Sequence, residues 1–315
     1  MATTVTAQEL VGAPAPNAIP LRRPARSLWS DAFRQFRRHT LAMFGVIVFS
    51  LLLIATLIGP IIWTVPADAI DYSQSLQPPS LQHPFGTDDL GRDIFKRALL
   101  GGRVSMAVGI VAVVVAISVG TTIGAIAGMF GGPIDSVLMR LTDLFLALPV
   151  LPLLLMVTYL FRDPMRKAFG PELGAFLLIV FVIGLLNWMA LSRLVRAQFL
   201  SLKQKEFVEA ARCIGASNGR LITTHILPNT LSAVIVAATI GVGAAIITES
   251  ALSFLGLGFP PDVPTWGRLL YDAQNFLDLA PWWAIFPGLL IFLTVLSINY
   301  IGDGLRDALD PRKTQ

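Results

Sequence analysis

Six long apolar stretches divide this chain, at residues 41–62, 104–129, 141–161, 173 to about 195, 231 to about 247, and 282–301. A helix rises about 1.5 Å per residue, so roughly 20 residues cross the hydrocarbon layer of a bilayer. The pattern predicts an all-α polytopic membrane protein with six transmembrane helices. Pro149 and Pro152 fall inside the third stretch. They kink it without vetoing it, because neighbouring helices satisfy the carbonyl that a proline frees. The second half of the fourth stretch is more polar. Six spans put both termini on one side of the membrane.

A polar island separates the fourth and fifth stretches. Residues 200–213 read as a short helix, with Glu206 and Glu209 among Lys203, Lys205 and Arg212. Gly215 ends it, as glycine does beyond a helix C-terminus. Asn218 and Gly219 form a turn, and Leu221, Ile222 and Ile226 give a second short apolar face. Pro228 marks the return to the membrane, where a missing N–H is tolerated at a helix start. The island is thus predicted as a helix-turn-helix lying across the membrane surface. On a charged helix the small pair Ala210–Ala211 lets a partner's surface approach, and Glu209 supplies an acceptor to it. These residues fit a docking element or an ordinary surface loop.

Two stretches carry small residues every fourth position: Ala116, Gly120, Gly124 and Gly128 in the second, and Ala233, Ala237, Gly241 and Ala245 in the fifth. Such spacing lets backbones approach where no hydrophobic drive operates. It serves a tight bundle centre, a subunit seam or ordinary internal packing. Asn187, Ser192, Glu249 and Asn299 are polar groups within or at the ends of apolar stretches. They suit either an interhelical hydrogen bond or, as at Asn187, Glu249 and Asn299, a pathway or gate.

Charge sets the orientation. With the N-terminus inside, sixteen of the 24 Lys and Arg residues fall in inside segments, which favours a cytoplasmic N- and C-terminus. The basic stretch 92–103 falls on the wrong side, and is expected to lie along the outer interface, offset by Asp88, Asp89 and Asp93. Residues 1–39 read as a largely disordered cytoplasmic tail, with Pro14, Pro16, Pro20 and Pro24 discouraging helix. The transmembrane body spans 40–310, with the island at about 200–226, and 311–315 form a C-terminal tail. No cleaved signal peptide is expected ahead of the first stretch, which is read as its own targeting signal.

Composition agrees: 54% hydrophobic, 14% charged and a mean hydropathy of +0.69, against about 25% charged residues in soluble domains. The net charge of +4 is dispersed and suggests no nucleic acid. A single cysteine, Cys213, forms no intrachain disulfide. There is no phosphate-cradling Gly-rich loop, no zinc spacing and no nucleophile beside a base, so no catalytic residue and no metal ligand is assigned. The turn-rich segment 86–93 reads as a structural turn tied by Arg92 to an aspartate, as a contact for a partner outside the membrane, or as a calcium loop. The proline-stiffened segment 254–266 reads as a cap on the outer mouth or a platform under a docking partner.

Glu209-Ala-Ala, Gly215, and then His225-Ile-Leu-Pro resemble the signature of the permeases of ABC importers. His83-Pro-Phe-Gly-Thr-Asp-Asp-Leu-Gly-Arg-Asp93 and Glu249-Ser-Ala-Leu-Ser-Phe-Leu-Gly-Leu-Gly258 are similar to the dipeptide, oligopeptide and nickel branch, in its second (C-type) permease subunit. His225 departs from the general signature, which has an apolar residue there, but resembles this branch. The resemblance covers about residues 30–310. It implies a type I importer permease fold in a bacterial inner membrane. The coupling residues would be Glu206, Glu209, Ala210, Ala211, Gly215, His225, Leu227 and Pro228. The implied partners are a second permease subunit, two ATP-binding subunits and an extracytoplasmic binding protein. The chain itself would bind no cofactor, ATP being used by those subunits. The implied cargo is a short peptide, with nickel, glutathione or another small solute as alternatives. A stand-alone secondary transporter or channel is the rival from another class. An intramembrane enzyme lacks its catalytic set.

Overall fold

A computed structural model describes residues 28–309; the remainder of the predicted tails, 1–27 and 310–315, lies outside the described residues. Regular structure among the described residues is helical, apart from one isolated bridge between Thr87 and Asp93. The chain opens with α1 (Leu28–Arg38), within the stretch expected to be disordered. The tail prolines end at Pro24, and α1 docks on the end of the last helix, where Gln35 donates to the Asp307 carbonyl at 2.8 Å. His39 then caps α2 (Thr40–Ile62) by accepting from the Ala42 N–H at 3.1 Å.

The second span starts ten residues earlier than its apolar pattern, as α3 (Ile94–Phe130). The basic stretch 92–103 is therefore not a separate interfacial segment but mostly the first turns of this helix. Its charges have partners that the linear sequence hides. Lys96 Nζ donates to the Pro60 and Trp63 carbonyls at 2.7 and 2.6 Å, at the end of α2. Arg103 Nε donates to the Thr56 carbonyl at 2.8 Å. Pro60 has no N–H to give the Thr56 carbonyl, and carbonyls at the end of a helix lack intrahelical donors and carry partial negative charge, so cations settle on both. Arg97 is fully buried and reaches Asp68 at 3.1 Å.

The third and fourth apolar stretches are each two helices. α4 (Gly132–Ala147) and α5 (Val150–Phe169) meet at 89°. The residue before a proline is driven out of the helical region, and Leu148, ahead of Pro149, has an extended backbone. The kink is thus a sharp corner. α6 (Pro171–Leu185) and α7 (Trp188–Leu202) bend by a gentler 42° at Leu186–Asn187. Next come α8 (Glu206–Cys213), the single turn α9 (Asn218–Arg220), a π-helical turn (Leu221–Ile226) and α10 (Leu227–Phe254). From Asn218 to Phe254 the helix is continuous over 37 residues. α11 (Trp266–Ala273) and α12 (Trp282–Leu309) complete the chain. Four single helices are long and apolar enough to cross a membrane, or six spans when each bent pair counts as one. That number agrees with the pattern of apolar stretches.

The α3 stripe packs against α7. A Cβ added at Gly124 would lie 2.5 Å from the Ser192 carbonyl oxygen and 2.8 Å from Val195 Cβ; one at Gly128 would lie 2.5 Å from Phe199 Cβ. These glycines are the tight centre of the bundle. The α10 stripe behaves differently: Ala237, Gly241 and Ala245 line a cavity of about 360 Å³. Gly124→Val is expected to lower the melting temperature of the detergent-solubilised protein, at about 1–3 kcal/mol for overpacking. Gly219→Ala, whose added Cβ meets nothing within 4 Å, should leave it unchanged. Paired thermal unfolding scans check this.

Candidate functional site

The island is held by its own chain from below and open above. α8 buries Val208 and Ala211 in a cluster with Val195, Phe199, Leu221 and Ile226. Its other faces are exposed: Glu206, Glu209, Ala210 and Cys213, together with two large apolar side chains, Phe207 at 44% and Ile214 at 88% accessibility. Apolar surface is thus left uncovered between charged residues on this face. The pair Ala210–Ala211 is split between the two sides. Ala210 faces outward, whereas Ala211 is small because it packs inward. Glu206 and Glu209 sit in the first turn and Arg212 in the last, matching the helix dipole.

Gly215 closes α8 with a left-handed φ of +89°. The Ala216 N–H bonds the Ala211 carbonyl and the Gly215 N–H bonds the Arg212 carbonyl, both at 3.0 Å. This paired closure requires a residue tolerant of positive φ. The second half of the island is not a separate surface helix. α9 and the π-helical turn run directly into α10, so His225, Leu227 and Pro228 belong to the first turns of one long rod. His225 is half-buried, and its carbonyl accepts from Asn229 Nδ2 at 2.6 Å. Leu227 packs on the same cluster that holds α8.

Three basic residues brace the island. Lys203, just after α7, donates through Nζ to the Gly128 carbonyl at 2.9 Å, at the end of α3. Arg196 forks onto both oxygens of Asp135 on α4, and Arg193 pairs with Asp143. Arg193, Arg196 and Lys203 were visible only as orienting charges. Their partners lie 50–75 residues away, and no local signal points to them.

At the far end of α10 the chain closes with the same geometry, using Gly256 at φ +79°. Glu249 is completely buried. Its Oε2 accepts from Ser105 Oγ of α3 at 2.9 Å and its Oε1 from Ser253 Oγ at 2.7 Å. Ser105 Oγ also accepts from the Trp266 backbone N–H at 3.3 Å, and Trp266 Nε1 donates to the Ala98 carbonyl at 2.9 Å. Glu249 therefore clamps α3, α10 and the start of α11 and does not face an open path. The segment 254–266 folds over this end, with Phe259 and Trp266 buried. Asn187 does line the 360 Å³ cavity, and its Nδ2 donates to the Ile183 carbonyl at 2.7 Å across the bend. Asn299 is exposed on α12. The structure brings none of these three together.

The acidic turn at 86–93 is tied as expected. Asp88 accepts from Arg92 Nε at 2.6 Å and from the Leu90 and Arg92 N–H groups. Asp93 caps α3 through the Lys96 N–H and meets His83 Nδ1 at 2.7 Å. Burial, helped by the neighbouring Asp88 charge, raises the Asp89 carboxyl above its usual range. Burial likewise raises Asp272, against the pull of Arg268.

Comparison with known proteins matches this architecture. The family described as binding-protein-dependent transport system inner membrane component matches residues 120–315. The N-terminal TM domain of oligopeptide transport permease C matches residues 27–79. The dipeptide transport system permease protein DppC of Alkalihalophilus pseudofirmus is 42% identical over 301 residues, covering 95% of each chain. The glutathione transport system permease protein GsiD of Escherichia coli is 40% identical over 301 residues, covering 94% of this chain and 95% of its own. The solved MetNI methionine ABC transporter, in an inward-facing conformation, shares the fold at a TM-score of 0.53 and 18% identity. That likeness covers 67% of this chain and 94% of the other. Gly215→Ala should leave packing intact, since its added Cβ meets nothing within 4 Å. It should strain the left-handed backbone by about 1–2 kcal/mol. Amide exchange across 206–216 is expected to rise roughly 5- to 30-fold, measured by mass spectrometry.

Proposed function

This chain belongs to the family of inner membrane components of binding-protein-dependent transport systems, and on that premise we propose how it works and what it carries. It is a multi-pass permease subunit of an ABC importer, not an enzyme. In the proposed reading, the island 200–226 is its coupling element, the handle gripped by one of two separate ATP-binding subunits. A second permease subunit completes the translocation path, and an extracytoplasmic binding protein delivers the cargo. The N- and C-termini and the island are cytoplasmic. ATP is bound by the partner subunits and no cofactor by this chain.

The observation that carries this reading is mechanical. α8 exposes Phe207, Ile214, Glu206 and Glu209, while Val208 and Ala211 fix it to the root of a helix that runs 37 residues to the opposite end. A push on that surface is delivered to a rod about 55 Å long, and the rod ends at the Glu249 clamp. Rigid-body rocking of packed helices is the economical way to open one end while closing the other. Membership of this family decides against the stand-alone carrier.

Short peptides are the proposed cargo, from the likeness to a dipeptide permease; glutathione, itself a tripeptide, is supported by the likeness to GsiD. Glu209→Lys and Gly215→Pro are expected to abolish co-purification of the ATP-binding subunits and uptake of labelled dipeptide, with membrane insertion intact. Undiminished co-purification of Gly215→Pro would sink the coupling role. The exposed Cys213 tests orientation: a membrane-impermeant maleimide should label it in inverted vesicles and not in spheroplasts.

A further inference from the structure

At the end of α10 farthest from α8 lies a cavity of about 210 Å³ between α5, α6 and the 256–261 segment. Three guanidinium groups line it, from Arg162, Arg166 and Arg268, and no carboxylate does. Arg162 Nη2 donates to the Gly256 and Gly258 carbonyls at 2.9 and 3.4 Å. A guanidinium carries five N–H donors, so these two carbonyls leave most of that capacity. Arg166 is exposed on α5. Arg268 is fixed from behind, by Asp272 at 2.8 Å and by the Tyr271 ring 4.5 Å from its Cζ, while its Nε is buried with no partner.

Thr158 is the second, independent sign. The residue borders the cavity and is only 1% exposed, and its Oγ1 is sealed from solvent with no hydrogen-bond partner. Thr142, Thr239 and Thr294 show the usual alternative, each donating to the carbonyl four residues back on its own helix. A buried hydroxyl without a partner is unfavourable unless something completes it. Leu178, Ile179 and Phe259 supply apolar walls.

We propose that this cavity is a carboxylate-recognition site, in which Arg162, Arg166, Arg268 and the Thr158 hydroxyl hold the free carboxylate of the transported solute while the apolar walls take the adjoining side chain. Guanidinium forks match a planar carboxylate bidentately, which an amide does not reproduce. The cavity volume is about 210 Å³. That suits a carboxylate and one residue. Because Arg162 ties the cavity to the Gly256–Gly258 backbone, occupancy is sensed by the segment that leads to Trp266 and the Glu249 clamp. The assignment rests on the peptide reading above, since short peptides and glutathione share a terminal carboxylate and a nickel ion has none.

Two measurements on the assembled complex test it. The first omits the binding protein and asks only about the site. N-acetyl-L-leucine should raise the melting temperature of the detergent-solubilised complex saturably, and N-acetyl-L-leucinamide should not. Thr158→Val should melt no lower than wild type without ligand, because it removes an unpartnered hydroxyl. Both Thr158→Val and Arg166→Gln should reduce the carboxylate-dependent rise. An equal rise with the amide, or an undiminished rise in both variants, overturns the proposal. A rise with glycerol 3-phosphate as large as with N-acetyl-L-leucine assigns the site to a lipid headgroup and also overturns it. The second measures uptake in proteoliposomes, with the binding protein saturated by a dipeptide or by its C-terminal amide. Arg166→Gln should slow the free acid roughly tenfold and the amide little. Equal slowing of both sinks the carboxylate site while leaving peptide import standing; ATP-independent uptake, or none of any peptide, sinks the functional reading, and the melting series then judges the site alone.

Discussion

The close approach of α3 and α7 governs this structure. Within a bilayer apolar side chains gain little by leaving lipid for protein, so helices associate through dispersion and short polar contacts. At Gly120, Gly124 and Gly128 the α7 backbone or its Cβ atoms lie where side chains would otherwise stand. Only this proximity brings Lys203 to the Gly128 carbonyl and fixes the direction in which α7 leaves the bundle. α8 then lands on the Val195–Phe199 face of α7 and on the root of α10. A bulkier stripe would move the island, and with it the surface offered to a partner.

Both ends of α10 are built as anchored joints. At one end a small helix is stopped by a left-handed glycine and buried on one face. At the other, a carboxylate sealed from solvent accepts hydroxyls from α3 and from its own helix, and α3 in turn holds the backbone of Trp266. A buried acid without a basic partner is tolerated only when its oxygens are satisfied, and Ser105 and Ser253 satisfy both. The long helix therefore acts as one body between two fixed joints, while the corner at Leu148–Pro149 and the bend at Asn187 are where the remaining spans change direction.

Much of this was legible in the chain. The apolar periods placed the spans, and Gly215 marked the end of α8 because few other residues tolerate its backbone. A turn tied by Arg92 to an aspartate was recognisable in 86–93, though only the structure shows that Asp88 is the aspartate. The misreadings share a cause. α1 was hidden by the prolines that precede it, and its docking partner lies at the other terminus. The basic stretch 92–103 looked misplaced because Lys96 and Arg103 are held by carbonyls at the end of α2, and a backbone carbonyl leaves no mark in a sequence. At Glu249 the sequence left an interhelical hydrogen bond and a pathway role both open, because the 144 positions between it and Ser105 conceal the hydrogen bond.

The sequence alone determined the number and order of the spans, the polar island between the fourth and fifth of them, and the residues on which the family likeness rests. These follow from local composition, and an apolar run or a glycine break acts over a few residues. Tertiary structure decided which face of the island is open, that Ala211 looks inward while Ala210 looks out, that Pro149 turns a corner, and that three arginines from two distant segments line one cavity. Those features depend on distances between residues far apart in the chain, which only packing sets.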